Sequence, residues 1–424
     1  MALMEASQRL KALESEAMTA AQTGNLPKAE KFCRMALSDA PHTVWALALL
    51  GKIATTLGQL QAARGYYRDA ASHAPEDQIL IQTLNWVETE LASQPPVAPQ
   101  RDAQYLLIKC WGQGFWSDVS HVLGQLLLAE ITGRTPIVHW GANSLFGDAT
   151  DPQGADANIF HYYFEPIGDL SLADLTRFDG DFFPPKWSAE NLKAVEVNTW
   201  KGAWSRMAAL YCLNRPERVV VSDFYTGIAD LSSWIPENHP LSGQSVEQIY
   251  RLLIKKYLRP NAEILAEIET FYEQRLAALP YISVHVRGAD KYNEQSDLGD
   301  VNDQYFQVLD DYLAQDPSCN IFLFTDDNRI FRRFTARYGD KVIYTDCDRT
   351  DTDAGVHVAP KISPRRLAEE VMVDSYLAAR GLGFVGNGAS NVSCMVVHLK
   401  DWREGETALL APSRHEHDPF LHNW

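Results

Sequence analysis

The stretch Tyr281-Ile-Ser-Val-His-Val-Arg287, followed directly by Gly-Ala-Asp-Lys291, decides the fold class of this 424-residue chain. Its first seven residues alternate and include β-branched side chains, which predicts a β-strand. Two further apolar runs, at 321–325 and 383–386, are also followed by polar residues. The carboxyl ends of neighbouring parallel strands meet at one edge of a sheet, so we expect these polar clusters to converge on one crevice.

An earlier part of the chain predicts a second sheet. Tyr105–Trp111 and Pro136–Trp140 are short apolar runs, and residues 119–131 between them have helical spacing. The loop after the first run contains Gly112 and Gly114, at the position where ligands usually bind in open α/β sheets. Both glycines are equally compatible with a simple turn.

The order of these elements predicts an α/β protein with two Rossmann-like halves, at 103–260 and 261–424, that face each other across a cleft. Residues 1–95 have a different, all-helical pattern. The proline-rich residues 96–102 between these parts are expected to form a stiff linker.

The helical part contains an internal repeat. Gly24-Asn-Leu-Pro-Lys-Ala29 and Gly58-Gln-Leu-Gln-Ala-Ala63 lie 34 residues apart, and the glycines and alanines resemble those of tetratricopeptide repeats. Two repeat units and a capping helix at 78–92 are fewer than usually fold stably by themselves. We therefore expect the module to pack against the next domain or against another subunit. Residues 8–92 are therefore a candidate surface for self-association or a protein partner, with a plain packing role slightly favoured.

Charge and cysteine usage exclude several classes of function. The 38 Lys and Arg against 55 Asp and Glu give a net charge of −17, which argues against non-specific binding to nucleic acid or to anionic membranes. No apolar run approaches the roughly 20 residues of a membrane span, and the N-terminus lacks the pattern of a signal peptide. The six cysteines are widely spaced, which is typical of reduced thiols in a cytoplasmic protein.

Several blocks resemble, in order and spacing, the motifs of the fucosyltransferase superfamily of α-1,6-, nodulation and protein O-fucosyltransferases. His285-Val-Arg-Gly-Ala-Asp-Lys291 resembles the H-V-R-R-x-D-K signature, and Thr325-Asp-Asp327 resembles the T-D-D motif. Asp374, with Ser390 sixteen residues later, resembles the final motif, and Ala354-Gly-Val-His357 resembles a small-Gly-aliphatic-His segment. The resemblance covers the C-terminal third well and residues 105–140 loosely.

This resemblance implies a GT-B-like fold and an inverting, metal-independent transfer of fucose from GDP-fucose to a glycan or protein hydroxyl, in a bacterial cytoplasmic enzyme. The second half is then the donor side and the first half the acceptor side. No cofactor and no metal is expected beyond the GDP-sugar substrate. The residues expected at the donor are His285, Arg287, Asp326, Asp327, His357, Asp374, Ser390, Asn391, Gly112 and Gly114.

Elementary chemistry supports two of these assignments. Arg287 stands at a strand end, where a guanidinium can make two hydrogen bonds to phosphate, and by family analogy it contacts the β-phosphate. Asp374 follows Leu367 and Val371 at helical spacing, so its carboxylate lies on an apolar helix face and needs donors. The family precedent for that donor is guanine, with His285 nearby, and the alternative is an ordinary buried carboxylate. Ser390 also suits a helix N-cap.

The candidates for chemistry are Lys291, Glu294 and Asp290, because an inverting transfer needs a base for the acceptor hydroxyl and a cation near the phosphates. Glu294 follows Lys291 by three residues where the α-1,6 enzymes have four, so Asp290 or Asp297 could take its place. Gly288 stands where the family usually has a second arginine. The absence of that arginine removes one phosphate contact, so the identity of the donor stays open.

Other interpretations remain beside this one. Asp326 with Asp327, and Asp346 with Asp348, have the composition of a metal site, which the resemblance argues against. The terminal His415-Glu-His-Asp418 also resembles a ligand set, but its place near a chain end favours a solvated surface. A transferase for another GDP-sugar and a non-catalytic nucleotide-binding adaptor acting through the repeats stay open. Six tryptophans could stack on acceptor sugars but are more often core: Trp111, Trp116, Trp140, Trp187, Trp200 and Trp204.

Overall fold

A helical module precedes the first strand, each helix packed on the next. The computed structural model describes residues 2–93, 103–148, 157–178, 181–194, 209–223, 225–293, 297–356 and 361–415. Alanines at the helix contacts are fully buried, and Gly51 lies so close to the ring of Tyr67 that a Cβ there would be 2.8 Å from it. The helices are α1 (Ala2–Gln22), α2 (Leu26–Asp39), α3 (Val44–Thr56), α4 (Leu60–His73) and α5 (Gln78–Ser93).

The module is docked onto the α/β part through a buried acid. Glu30 in α2 is fully buried, and its Oε1 accepts the indole N–H of Trp234 at 3.0 Å. Arg34, one turn later, donates to Glu30 at 2.7 Å and to the backbone oxygen of Asp230 at 3.2 Å. The helical module therefore packs against the neighbouring α/β part. The tetratricopeptide assignment stays a prediction, and the predicted linker 96–102 lies outside the described residues.

A four-stranded parallel sheet, in the order β2-β1-β4-β3, forms the first half. Its central strand β1 has four successive buried residues, as expected for a strand covered on both faces. The elements are β1 (Tyr105–Lys109), α6 (Phe115–Thr132), β2 (Thr135–His139), α7 (Leu172–Leu175), β3 (Phe182–Phe183), β4 (Val219–Ser222), α8 (Ile228–Leu231) and α9 (Val246–Tyr257).

A five-stranded parallel sheet, in the order β7-β6-β5-β8-β9, forms the second half. The stretch that decides the fold becomes the central strand β5, which is buried throughout. The elements are α10 (Ala262–Phe271), β5 (Tyr281–His285), α11 (Leu298–Gln315), β6 (Asn320–Phe324), α12 (Asn328–Tyr338), β7 (Val342–Ile343), α13 (Pro364–Ala378), β8 (Gly383–Gly386), α14 (Asn391–Leu399) and β9 (Thr407–Leu409). The predicted architecture of two parallel α/β sheets is confirmed.

Helices join the two halves. The indole N–H of Trp116 in α6 donates to Ser375 Oγ in α13 at 2.9 Å, in a buried position, and α14 packs on both α6 and α9. These contacts bring the carboxyl edges of the two sheets to a common cleft. Among the described helices, none has the length and apolar character needed to cross a membrane.

Candidate functional site

A cavity of about 380 Å³ lies between the two halves, at the carboxyl edges of both sheets. The first half contributes residues 113–117 at the start of α6, together with Leu145 and Phe146. The second half contributes residues that follow β5, β6 and β8 and one face of α13. Its size is within the range of ordinary small-ligand sites. The predicted crevice at the strand ends is thus present.

Two helix N-termini face this cavity, α6 beginning at Phe115 and α14 at Asn391. Unpaired backbone N–H groups and the helix dipole make such ends favourable for anions. Gly114 is the N-cap of α6 and belongs to the cavity wall, whereas Gly112 does not contact the cavity. Gly112 serves the turn instead, since its φ is +83°. Of the two predicted glycines, only Gly114 is placed at the site.

The turn before α6 is fixed by a buried acid that the sequence did not reveal. Asp118 accepts a hydrogen bond from Gln113 N at 3.2 Å and one from Cys110 Sγ at 2.9 Å. Burial raises the pKa of Asp118 to about 7. The carboxylate therefore positions the backbone that forms this side of the cavity.

Arg287 follows β5 and points into the cavity between two carboxylates. Its Nη2 donates to Asp290 Oδ1 at 2.6 Å, and its Nη1 is paired with Asp326. Asp326 is held in turn by Gly288 N, which donates to Oδ1 at 3.0 Å. The guanidinium is therefore oriented before any ligand arrives. Arg287, Asp290 and Asp326 all belong to the cavity wall, and their roles stay predictions.

Asp327 differs from the expectation for a donor-binding residue. It is fully buried and caps α12, accepting from Arg329 N at 2.7 Å and from Ala289 N at 3.2 Å, and it is paired with the Arg329 side chain. It also explains Gly288, because a Cβ there would lie 2.6 Å from Asp327 Cβ. An arginine at position 288 would not fit without moving this carboxylate. Asp327 therefore supports the backbone of the 285–291 motif and does not belong to the cavity wall.

Asp374 lies at the other end of the cavity, on α13, with 4% exposure. Its Oδ1 accepts from Thr345 Oγ1 at 2.6 Å. Burial raises the pKa of Asp374 to about 7, although the Thr345 hydroxyl and the charge of Arg349 oppose that shift. The carboxylate is thus on the apolar helix face predicted for it and has one donor from the protein.

Glu370 joins Asp374 in the cavity wall and was not identified from the sequence. Burial raises its pKa, and it accepts a hydrogen bond from Asp348 N at 2.9 Å. Its spacing, one helical turn before Asp374, is the signal that would have found it. The acidic end of the cavity therefore contains two carboxyl groups.

His285 is buried beside the cavity, with Nδ1 2.7 Å from Ser393 Oγ. Burial and the charge of Arg287 lower the pKa of His285 to about 3, so the imidazole is neutral. Lys291, Ser390 and Asn391 belong to the cavity wall, and their roles stay predictions. Glu294 and His357 lie outside the described residues.

Ser390 occupies the N-cap position of α14, but in the described part of the chain its hydroxyl makes no capping hydrogen bond. The predicted capping role of this side chain is therefore not what the structure has. The residue lines the cavity at the helix N-terminus.

The C-terminal end contradicts the prediction of a solvated surface. His415 is 1% exposed, and Arg414 beside it belongs to the cavity wall. Residues 416–418 lie outside the described residues. Trp140 and Trp187 are buried core residues rather than sugar platforms, and Trp111 packs against Tyr225. Trp116 is also buried but lines the cavity. Trp200 and Trp204 are also outside the described ranges.

Within the described ranges, no group of three or more His, Cys, Asp or Glu side chains is arranged to hold a metal ion. Asp326 and Asp327 are already engaged by arginines and backbone N–H groups, as given above. The cavity instead combines three cations, Arg287, Lys291 and Arg414, with an acidic end at Asp374 and Glu370, and two further wall carboxylates, Asp290 and Asp326, are paired with Arg287. Such a polarity suits a ligand with an anionic group and a hydrogen-bond-donating group at opposite ends.

Comparison with known proteins gave structural likenesses only. No protein-family model matches the chain, and no curated protein matches it. Solved structures that it is similar to include NodZ α-1,6-fucosyltransferase soaked with GDP-fucose, at 19% identity and a TM-score of 0.44 over 70% of this chain and 93% of that one. NodZ from Bradyrhizobium gives 18% and 0.43 over 69% and 91%.

Two further solved structures belong to the same set of likenesses. A FUT1 mutant from Arabidopsis thaliana in complex with GDP gives 11% identity and a TM-score of 0.43, over 75% of this chain and 74% of that one. POFUT1 in complex with GDP-fucose gives 14% and 0.41 over 74% and 98%. At these identities and TM-scores the likenesses decide neither the activity nor the substrate, and the assignment below rests on the residues of the cavity.

Proposed function

We propose that this chain is an inverting, metal-independent glycosyltransferase that moves fucose from GDP-fucose to a glycan or protein hydroxyl. The observation that carries the proposal is the polarity of the interdomain cavity. Arg287 and the N-terminus of α14 lie near its middle, and the buried carboxyl of Asp374 lies at one end. A guanine nucleoside diphosphate has matching groups at matching ends, since N1–H and the 2-amino group donate and the phosphates accept.

The chemistry follows from where charge develops. As the bond between the sugar's anomeric carbon and the β-phosphate oxygen breaks, negative charge grows on the departing GDP. In this proposal Arg287 stabilises that charge by donating two N–H groups to phosphate oxygens, assisted by Lys291 and the helix end, and the presence of both side chains in the cavity wall supports this role. The acceptor oxygen forms its bond to the same carbon from the opposite face, which inverts the configuration. Its proton passes to a carboxylate, for which Asp290 is the described candidate in the cavity wall.

The proposal also includes the cellular compartment of the protein and the role of its helical module. We assign the chain to the cytoplasm of a bacterium. All six cysteines are free thiols, which supports the reducing compartment, and the bacterial source rests on the sequence resemblance alone. We assign the helical module to the tetratricopeptide type. Its contacts through Glu30 and Trp234 support a packing role, with a protein partner or a second copy as further uses.

Donor turnover tests the proposal. Purified protein is incubated separately with GDP-fucose, GDP-mannose and UDP-glucose, with and without glycan and protein acceptors, and nucleotide release is measured. We expect GDP release from GDP-fucose to exceed that from GDP-mannose and UDP-glucose to be inert. Preferred release from GDP-mannose would indicate another GDP-sugar. Tight GDP binding without turnover for any acceptor would indicate the adaptor, and equal use of UDP-glucose would overturn the donor assignment.

A further inference from the structure

Arg414, in the segment 410–415 beyond β9, lines the same cavity. Leu410 N donates to Gly386 O at 2.9 Å, and Arg414 N donates to Gly388 O at 3.0 Å. A Cβ on Gly388 would lie 2.1 Å from Ala411 O, so the two backbones are in direct contact. The segment is therefore fixed against the loop that leads into α14.

His415 anchors this segment to both halves of the molecule. Its Nε2 lies 3.2 Å from Ser120 Oγ in α6 and 3.0 Å from Asn391 Oδ1 in α14, and its Nδ1 lies 3.0 Å from His398 Nε2. Ser120 Oγ already donates its proton to Trp116 O at 2.7 Å, so Nε2 of His415 carries the proton and donates to both oxygens. One imidazole thus ties together the two helices whose N-termini face the cavity.

Arg414 is placed by the same segment at the cationic side of the cavity. Its Nη1 lies 3.4 Å from Ala389 O, next to the start of α14. The strand order β7-β6-β5-β8-β9 sets the sequence of groups along the cavity floor. Asp374 is bonded to Thr345 just after β7, Arg287 follows β5, and Arg414 follows β9. Arg414 and Asp374 therefore lie on opposite sides of Arg287.

The local charges show why a further cation is needed. Arg287 carries one positive charge but is paired with two carboxylates, Asp290 and Asp326, so this trio has a net charge of −1. A diphosphate brings further negative charge to the same place. The position next to Arg287 is Gly288, where the contact with Asp327 leaves no room for a side chain. Lys291 supplies one more positive charge from within the motif and brings this group only to neutrality, so any further cation has to come from outside the motif.

We propose that Arg414 is the second phosphate-binding arginine of this site, with His415 as the positioning residue that holds it there. The inference rests on the proposed function, because it takes the ligand to be a nucleoside diphosphate sugar. It adds that the segment 410–415 contributes to donor binding.

The test compares ligands that differ only in phosphate. Calorimetric titrations of GDP, GMP and guanosine are run on wild type, Arg414→Gln and Arg403→Gln. Arg403 is the matched control, since its side chain is 89% exposed on the same C-terminal region. We expect Arg414→Gln to weaken GDP binding about 10- to 100-fold, as for a lost charge-assisted hydrogen bond, and to leave guanosine within twofold. Folding should be retained, because the hydrogen bond to Gly388 uses backbone only.

The outcomes separate this inference from the proposed function. If wild type does not bind GDP, the proposed function fails and the inference with it. If wild type binds GDP and Arg414→Gln binds it within twofold, or loses guanosine equally, only the inference is overturned. His415→Gln should weaken GDP by a similar factor, and the double variant should lose no more than the larger single loss. Additive losses would contradict the positioning role.

Discussion

Arg287 is already paired with two carboxylates before any donor binds, so its guanidinium is preorganised and its orientation does not depend on the ligand. Arg287→Lys keeps the charge but loses the fork that meets two phosphate oxygens. We expect turnover of GDP-fucose to fall by about one to three orders of magnitude, as for loss of a transition-state donor. Arg333→Lys, on a surface ion pair with Asp303, is the control and should leave turnover unchanged. Turnover of Arg287→Lys within twofold of wild type would remove the phosphate assignment.

Ionisation of Asp374, at the acidic end of the cavity, is expected to make both stability and GDP affinity depend on pH. Its pKa of about 7 in the free protein lies above the ordinary value of 3.8, so the free protein loses stability from this group as pH rises from about 4 to 7. Binding of guanine needs the ionised form, because N1–H and the 2-amino group both donate. The affinity for GDP should therefore rise between pH 6 and pH 8, about 10-fold per pH unit at most below the pKa.

The matched control for this prediction is Asp374→Asn, measured by calorimetry with GDP, IDP and ADP. The titration of the ligand phosphate is common to both proteins, so only the protein's contribution should disappear. Wild type should bind IDP more weakly than GDP and ADP much more weakly, since each mismatched buried polar group typically costs about 1–3 kcal/mol. The variant should lose that preference. Retention of both the pH dependence and the preference in Asp374→Asn would make this carboxylate purely structural.

At the scale of single elements, the sequence predicted β1, β2, β5, β6 and β8 but not β3, β4, β7 or β9, and it missed where one helix begins. The run at 383–386 is the strand observed, and the runs at 281–287 and 321–325 differ from β5 and β6 only at their ends. Residues 119–131 were predicted as helical, whereas α6 starts at Phe115, because Gly114 forms its N-cap. Residues 115–129 are buried on every side, so no amphipathic boundary marks where this helix begins.

The helical module gives the prediction for this scale. Glu30 is fully buried and accepts from both the Trp234 indole and Arg34, so Glu30→Ala would remove the acceptor of a buried indole N–H and the carboxylate partner of the partly buried Arg34. Breaking such a pair typically costs about 3–5 kcal/mol, and we expect a clear fall in the midpoint of thermal unfolding. Glu88→Ala, whose partner Arg68 is on the surface, is the control and should change little. Equal midpoints for the two variants would show that the module is not held by this contact.

Over the whole molecule, the parts that escaped prediction are those assembled from distant segments. His415 is buried because Ser120, Tyr250, Asn391 and His398, from three different helices, surround its ring. A local pattern near the chain end contains no sign of those neighbours. Arg287 and Asp374 could be found in advance because a strand end and a helix face are local features. Arg414 could not, since its place depends on how the segment after β9 packs against the loop after β8.

The charge of the whole molecule bears on the last prediction, which concerns metals. A net charge of −17 will attract divalent cations to the surface without any specific site, so metal binding alone is not informative and turnover has to be measured. The positive charge available to a departing diphosphate comes from Arg287, Lys291, Arg414 and two helix N-termini, while Asp326 and Asp327 are engaged by arginines and backbone N–H groups. We therefore expect the rate of GDP release to be unchanged in EDTA and unaltered by added Mn²⁺ or Mg²⁺. If EDTA abolished turnover and Mn²⁺ restored it, Asp326 would have to exchange Arg287 for a metal ion, and the variant Asp326→Asn would then be inactive at every metal concentration.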